Sequence, residues 1–251
     1  MNPPIAVQLY SVREQLPHDF DGVIRQIAAM GYAGVETAGF PGTSPAAAAR
    51  LFRDLGLTVC SAHLPLPTRQ NEAEVFDTLA LLGCKRAVCA WMPAERFGSL
   101  KEIRKVCDEL NAGAELAAAH GVTLYYHNHW WELHEIEGKP ALWHMVDALA
   151  PSVHFEIDTY WVRTGGVDPV ELLRQLGKRA SLLHIKDGPC TEKDAMVAAG
   201  DGVMDFPSIF EAAAGNVDWA IVELDRCATD MLEAVAKSNR YLVGLLQGKA
   251  R

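Results

Sequence analysis

Short runs of β-forming residues alternate with segments that carry apolar residues at helical spacing along the whole chain. The helical segments show end signals, as in SPAAAARLFRDLG, where Ser44 precedes Pro45 at the first helical position. Parallel strands joined by helices are covered on both faces and are therefore nearly continuously apolar. The eight predicted strands are IAVQLY (5–10), AGVE (33–36), TVCSAH (58–63), RAVCAW (86–91), VTLYYH (122–127), VHFEID (153–158), SLLHIK (181–186) and WAIVEL (219–224).

This alternation predicts an α/β protein that forms one closed (β/α)₈ TIM barrel. Eight βα units favour closure over an open, doubly wound sheet, and a length of 251 residues is usual for such a barrel. The first predicted strand leads into SVREQ and not into a Gly-rich phosphate-binding turn, which argues against a dinucleotide-binding domain. No Pro-, Ser- or Gly-rich linker divides the sequence, so we expect a single domain over residues 1–251.

Composition and charge exclude several classes of protein. The net charge is -9 and no cluster of Lys and Arg stands out, which disfavours binding to nucleic acid. No apolar run reaches the roughly 18 residues that a membrane span needs, and the N-terminus MNPPIAVQLY lacks the pattern of a signal peptide. Six cysteines without a C-x-x-C pair suit reduced thiols. We therefore expect a cytoplasmic protein that acts on a small molecule.

Polar or aromatic side chains end almost every predicted strand. In a barrel of this kind the active site gathers at the carboxyl ends of the strands. The polar end of the fifth strand, HNHWWE, is then one contribution to a shared polar floor, and its tryptophans would form apolar walls that suit the C–H faces of sugars. The strand-end groups are Gln8, Glu36, His63, Trp91, the stretch from His127 to Glu132, Asp158, His184 with Lys186, and Glu223.

Asp158, His184 and Glu223 follow three neighbouring strands at the same depth. Taken singly, a strand-end aspartate often caps a helix, and a histidine between apolar residues is often a satisfied interior one. A buried, unpaired carboxylate such as Glu223 is costly, however, and a divalent cation would stabilise all three groups together. Two carboxylates and one imidazole suit Mn²⁺, Co²⁺, Mg²⁺ or Zn²⁺.

Several motifs resemble the sugar phosphate isomerase/epimerase family of the xylose isomerase-like TIM barrel superfamily. They are VQLYSVRE, GYAGVE, SAH, YHNHWWE, EIDTYWV, LLHIKDG, GDGVMDF and IVELD, and they span nearly the whole chain. The resemblance implies one divalent metal ion, held by Glu, Asp, His and Glu from strands five to eight, in which Asp158, His184 and Glu223 match the last three positions. It also implies a sugar or polyol substrate and, at the level of the family, a homodimer.

The first ligand position departs from the family pattern. Counting back from Asp158 leads to Tyr125 or Tyr126, where many members have Glu. His127 shares the inward face of Tyr125 and could supply a nitrogen ligand, while Glu132, beyond the strand, could also turn in. In the ketose epimerases and the endonuclease of the superfamily a His follows three residues after the Asp, where this chain has Trp161. A three-metal nuclease site therefore lacks ligands.

Together with these residues, the resemblance implies a metal-dependent isomerase or epimerase that acts on a keto-sugar or related polyol through an enediolate. Glu132 and Glu223 are the candidate bases, with His127 or His129 as alternatives, and Lys186 would neutralise charge that develops on oxygen. The candidate substrate contacts are Glu36, His63, Trp91 and Trp161. The absent strand-five Glu keeps open a dehydratase or lyase of the inosose dehydratase type, a metal-dependent aldolase, and a non-catalytic sugar-binding barrel.

Overall fold

A computed structural model describes residues 2–248 and shows a closed barrel of eight parallel strands. Neighbouring barrel strands follow the order of the chain, and the last strand pairs with the first to close the barrel. The predicted (β/α)₈ fold is thereby confirmed. The barrel strands are β1 (Ile5–Gln8), β2 (Gly34–Ala38), β3 (Thr58–Leu64), β4 (Arg86–Cys89), β5 (Thr123–His127), β8 (Val153–Asp158), β9 (Leu182–Ile185) and β10 (Trp219–Val222), and a short antiparallel hairpin after β5 supplies β6 (Glu135–Ile136) and β7 (Lys139–Pro140).

Nine α-helices lie between and after the strands within residues 2–248, one more than the predicted eight. The additional helix, α6, is short and starts directly at the end of β8. Ser44 caps α2 as predicted, since its Oγ accepts a hydrogen bond from the amide of Ala47 at 3.3 Å. None of the helices in this described range is long and apolar enough to cross a membrane. The helices are α1 (Leu16–Ala29), α2 (Pro45–Asp54), α3 (Glu72–Leu82), α4 (Leu100–Ala119), α5 (Ala141–Ala148), α6 (Thr159–Thr164), α7 (Pro169–Leu176), α8 (Phe206–Ala212) and α9 (Met231–Leu246).

The barrel interior is apolar at one level and polar at the next, two residues further along the strands. Its apolar part is the small cluster of Ala6, Cys60, Val88, Tyr125, Leu182 and Ile221. Side chains two residues apart on a strand share a face, so the next inward positions lie nearer the carboxyl end of the barrel. On four of the strands these positions are Gln8, His127, His184 and Glu223. The apolar cluster thus forms a floor beneath the polar centre.

An irregularity in β3 changes which of its side chains face the interior. The pairing with β2 runs from Val35 opposite Val59 to Glu36 opposite Ser61, so Cys60 is an extra residue on β3. Cys60 belongs to the interior apolar cluster, and His63, three residues later, also faces the interior, where it contacts Glu156. Regular alternation would send a side chain three residues away to the opposite face. The bulge therefore brings His63 into the barrel.

The long loop between β9 and α8 is anchored by the buried carboxylate of Asp187. Its Oδ1 accepts hydrogen bonds from the amides of Gly188 and Met204, at 2.9 and 3.1 Å. Its Oδ2 accepts from the amides of Gly200 and Gly202, at 2.9 and 3.0 Å. Hydrogen bonds to a charged acceptor are stronger than those between neutral groups. One side chain therefore holds both ends of this loop against the barrel.

We expect Gly202→Ala to destabilise the protein. A Cβ at this position would lie 2.1 Å from Asp187 Oδ1 and 2.3 Å from the amide nitrogen of Gly188, which is backbone and cannot rotate away. Overpacking of this kind typically costs about 1–3 kcal/mol. The matched control is Gly98→Ala, whose Cβ would meet nothing nearer than a carbonyl oxygen at 3.6 Å. Urea unfolding should give a lower midpoint for Gly202→Ala alone, and equal midpoints would contradict this account of the loop.

Candidate metal centre and active site

Four buried side chains converge at the carboxyl end of the barrel. His127, Asp158, His184 and Glu223 each place one donor atom within 4.8 Å of the others. They come from the ends of β5, β8 and β9 and from the residue that follows β10. The structure thus brings together the three predicted residues Asp158, His184 and Glu223, and the fourth member, His127, comes from the polar end of β5.

Each residue of the HNH stretch, His127–His129, has a different structural role at this end of the barrel. His127 is the last residue of β5 and faces inward. Asn128 connects β5 to β8, because its Oδ1 accepts from the amide of Asp158 at 2.9 Å and its Nδ2 donates to the carbonyl of Asp158 at 3.4 Å. The ring of His129 stacks on Trp131 with 4.2 Å between centroids. The side-chain amide of Asn128 therefore fixes the position of Asp158 along the barrel axis, next to the two histidines.

Asp158 divides its two carboxylate oxygens between the helix and the centre. Oδ1 accepts from the amide of Trp161 at 2.9 Å and so caps α6. Oδ2 is buried without a hydrogen-bond partner and lies 3.0 Å from the Nζ of Lys186. Burial raises the pKa of Asp158 to about 6, although Lys186 and His184 act in the opposite direction. Oδ1 thus serves the helix, whereas Oδ2 faces the centre, where a bound cation would share it with Lys186.

His184 and Glu223 form a close charged pair within the centre. His184 Nδ1 lies 2.7 Å from Glu223 Oε2. Burial alone would lower the pKa of His184, but the carboxylates of Glu156, Glu223 and Glu36 raise it well above its usual value. Burial alone would raise the pKa of Glu223, but Lys186 and His184 bring it below the usual range. The pair is therefore an imidazolium and a carboxylate when no cation is bound.

Lys186 is almost completely buried beside the same carboxylates. Its Nζ lies 3.0 Å from Asp158 Oδ2, 2.7 Å from Glu223 Oε2 and 2.8 Å from Asp225 Oδ2. Its ammonium group also lies 5.3 Å from the centroid of the Trp161 ring. Burial alone would lower the pKa of Lys186, but Asp158, Asp225 and Glu223 raise it well above the usual value. The lysine is therefore a fixed positive charge at the rim of the centre.

A second group of donors lies behind the first and contains a residue that the sequence analysis did not identify. His63, His127, Glu156 and His184 also place donor atoms within 4.8 Å of one another. Glu156 is fully buried and stands two residues before Asp158, on the same inward face of β8. The period of two along a strand was the signal that could have revealed it.

Glu36 lies next to this second group, beneath the imidazoles. Its Oε2 accepts from Gln8 Nε2 at 2.7 Å, and His184 Nε2 lies 2.7 Å from the same oxygen. Burial alone would lower the pKa of His63, but Glu36 and Glu156 raise it to about 10. This imidazole therefore offsets part of the negative charge of the two carboxylates.

The centre fits a divalent cation on the chemistry of its donors. Within this centre, Asp158 Oδ2 is fully buried and makes no hydrogen bond. Unpaired buried polar atoms of this kind are costly and are usually explained by an ion, water or function. Two imidazoles and two carboxylates suit Mn²⁺, Co²⁺ or Zn²⁺.

A cavity of about 580 Å³ opens above the centre, a size typical of small-molecule sites. Its polar lining comprises His63, His127, His129, Lys186, Glu223 and Asp225. Its apolar lining includes Tyr10, Leu66, Trp91 and Met92. The side chain of Trp91 is 59% exposed at this wall. The cavity thus offers one polar and one apolar surface to the same molecule.

Five of the predicted site residues do not line the cavity. Asp158 and His184 lie in the donor group beneath it, and the other three are Glu132, Glu36 and Trp161. Glu132 accepts from the hydroxyl of Tyr126 at 2.6 Å and from the amide of His129 at 2.9 Å, so both its oxygens serve the loop after β5. Burial raises the pKa of Glu132 to about 7. Glu36 is covered by the imidazoles, and Trp161 is buried in α6 with its ring centroid 4.7 Å from that of Trp130. The direct roles expected for Glu132, Glu36 and Trp161 towards metal or substrate remain predictions.

The comparisons with known proteins agree with the fold. Over 250 residues the chain is 24% identical to an inosose dehydratase from Geobacillus kaustophilus, covering 82% of this chain and 80% of that protein. A sugar phosphate isomerase/epimerase structure from Parabacteroides distasonis has a TM-score of 0.81 at 26% identity, covering 96% of this chain and 94% of the other. An L-ribulose 3-epimerase structure has a TM-score of 0.71 at 17% identity and covers 99% and 96%, which shows the fold alone.

The family assignment follows from the extent of the match as well as from the barrel. Residues 24–242 match the family model for the xylose isomerase-like TIM barrel. This range contains seven of the eight barrel strands and every member of the two donor groups. The resemblance seen in the sequence motifs is confirmed, and this chain belongs to the xylose isomerase-like TIM barrel family.

Proposed function

We propose that this protein is a divalent-metal-dependent enzyme that isomerises or epimerises a keto-sugar or related polyol through an enediolate. The observation that carries this proposal is the buried group of His127, Asp158, His184 and Glu223 beneath a cavity of about 580 Å³. The family contains proteins named as isomerase/epimerase, epimerase and dehydratase, which supports an enzymatic role.

The same four residues are the proposed metal ligands. Glu132 is left out because both its oxygens already accept hydrogen bonds from Tyr126 and His129. When bound, the ion supplies a Lewis acid that polarises a carbonyl group and stabilises negative charge on neighbouring oxygens. The remaining chemistry depends on the side chains that line the cavity.

Glu223 is the proposed base that takes the proton from the carbon next to the carbonyl. It lines the cavity, whereas the other candidate carboxylate, Glu132, does not. Lys186, 2.7 Å from Glu223, places a fixed positive charge where negative charge develops on the substrate. Protonation of the same carbon on its opposite face, by a donor other than Glu223 or by water, gives epimerisation. Delivery of the proton from Glu223 to the neighbouring carbon gives isomerisation.

The walls of the cavity orient the substrate and limit its contact with water. His129 is neutral, because burial and the charge of Lys186 lower its pKa to about 3, so its ring can hold a substrate hydroxyl. Trp91 and Met92 face this polar side from the apolar wall. A sugar presents hydroxyls on its edge and C–H groups on its face, so it matches both surfaces at once.

Dehydration is the second candidate reaction. It is favoured by the similarity to inosose dehydratase, which extends over 82% of this chain. The same removal of a proton beside the carbonyl would then be followed by loss of a hydroxyl from the next carbon. Glu223 keeps the same role in both reactions, so the substrate decides between them.

Hydrogen exchange with solvent tests the proposed chemistry. Protein loaded with Mn²⁺ and incubated in D₂O should introduce deuterium at the carbon beside the carbonyl of at least one keto-sugar or cyclic keto-polyol, observed by NMR or mass spectrometry. Loss of 18 mass units, that of one water, would identify dehydration, and a label without loss of mass would identify isomerisation or epimerisation. Metal-loaded protein that neither exchanges hydrogen nor loses water with any such compound would count against the proposal.

Replacing a proposed ligand tests the metal centre directly. Asp158→Ala or Glu223→Ala should weaken Mn²⁺ binding by more than the roughly 100-fold that loss of an outer-shell partner can cost. Asp225→Asn is the matched control, since Asp225 lines the cavity and contacts Lys186 but belongs to neither donor group. Metal content after dialysis gives the measurement, and full occupancy in Asp158→Ala would contradict the ligand assignment.

A further inference from the structure

The rings of His127 and His184 each face two different layers of the barrel interior. The outer layer is the proposed metal site, with the carboxylates of Asp158 and Glu223. The inner layer contains the carboxylates of Glu156 and Glu36. His184 Nδ1 lies 2.7 Å from Glu223 Oε2, while its Nε2 lies 2.7 Å from Glu36 Oε2 and 3.1 Å from Glu156 Oε2.

His127 has the same two-sided arrangement. Its Nε2 lies 3.9 Å from Asp158 Oδ2 in the outer layer, and its Nδ1 lies 3.1 Å from Glu156 Oε2 in the inner layer. Nδ1 makes no hydrogen bond of regular geometry, and Glu156 Oε2 is the carboxylate oxygen that it faces. Each ring therefore presents one nitrogen to each layer.

We propose that Glu156 is a positioning residue that, with Glu36, holds protons on the inner nitrogens of His127 and His184. A neutral imidazole has one N–H and one lone pair, so a proton on the inner nitrogen leaves the lone pair on the outer one. His127 Nε2 and His184 Nδ1 are then both ready to bind the ion. This inference rests on the proposed metal-dependent function.

The position of Glu156 supports this role. Its Oε2 lies within 3.1 Å of one nitrogen from each of three imidazoles, the third being His63 Nε2 at 2.8 Å. The side chain is fully buried, and an ionised carboxylate in such a place requires hydrogen-bond donors. Metal-ligating histidines commonly donate their second N–H to a carboxylate, which fixes the tautomer and the ring orientation. One oxygen of Glu156 therefore faces three rings and is hydrogen-bonded to that of His63.

A second cation in the inner layer is the alternative that this arrangement excludes. Such an ion would need lone pairs on the inner nitrogens of His127 and His184, and the outer ion needs lone pairs on the other nitrogens of the same rings. A neutral imidazole cannot provide both. The outer layer borders the cavity through Glu223, whereas neither inner carboxylate, Glu36 or Glu156, lines it. The cation is therefore assigned to the outer layer and the protons to the inner one.

Glu156→Gln tests the role of the carboxylate. The amide has nearly the same shape, but it has no charge and presents N–H donors to the rings, so it no longer selects the inner N–H form. We expect Mn²⁺ affinity, measured by competition with a chelator, to fall about 10–100-fold. Tyr125→Phe is the matched control, because it removes a buried hydroxyl, 3.0 Å from Ser181, from the same barrel interior without touching either layer. Its affinity should equal that of the wild type.

The tautomers can be observed in the unaltered protein. In Zn²⁺-loaded protein with ¹⁵N-labelled histidine, NMR should show protons on His127 Nδ1 and His184 Nε2. Protons on His127 Nε2 or His184 Nδ1 would overturn the proposal, and so would two tightly bound Zn²⁺ ions per chain. This measurement stands even if Glu156→Gln does not fold.

Failure of this inference and failure of the proposed function give different results. If the wild type binds Mn²⁺ and Glu156→Gln binds it equally well, the positioning role is wrong and the metal-dependent function stands. If the wild type binds no divalent ion, the proposed function fails. The spectrum of the metal-free protein then still decides the inference, since His127 should carry its proton on Nδ1, and a proton on Nε2 would contradict it.

Discussion

Negative charge inside a closed barrel is the constraint on which this centre depends. Glu36, Glu156, Asp158 and Glu223 are buried within one small region, where an ionised carboxylate without compensation is costly. Imidazoles and Lys186 compensate much of this charge but leave carboxylate oxygens without hydrogen-bond partners. A bound divalent ion would complete the compensation. The need to compensate buried negative charge therefore accounts both for the arrangement of these side chains and for the proposed binding of a cation.

The barrel and three of the central residues could be predicted from the sequence because both follow from regular patterns. Alternating βα units specify parallel strands, and the carboxyl ends of such strands meet at one end of the barrel. Asp158, His184 and Glu223 therefore had to lie near one another. Glu156 follows the same alternation, two residues before Asp158. It was not identified because only the residue at the end of each strand was considered, which in β8 is Asp158.

The remaining features depend on local irregularities that leave no periodic signal. His63 faces the interior because Cys60 is an extra residue in β3. Glu132 lies in a single turn, Trp131–Leu133, that directs its carboxylate to Tyr126 and away from the cavity. Trp161 is buried because α6 begins directly at Asp158. Bulges and single turns of this kind change the direction of a side chain without changing the pattern of apolar residues around it.

The four backbone amides that donate to Asp187 also affect how a substrate reaches the cavity. They secure the β9–α8 loop, so the rim of the barrel on that side is rigid. Tyr10 and Trp91, both exposed and both lining the cavity, come from the loops after β1 and β4. These two rings therefore form part of the mouth of the cavity, and a molecule that enters past them contacts aromatic surface before it reaches the polar centre.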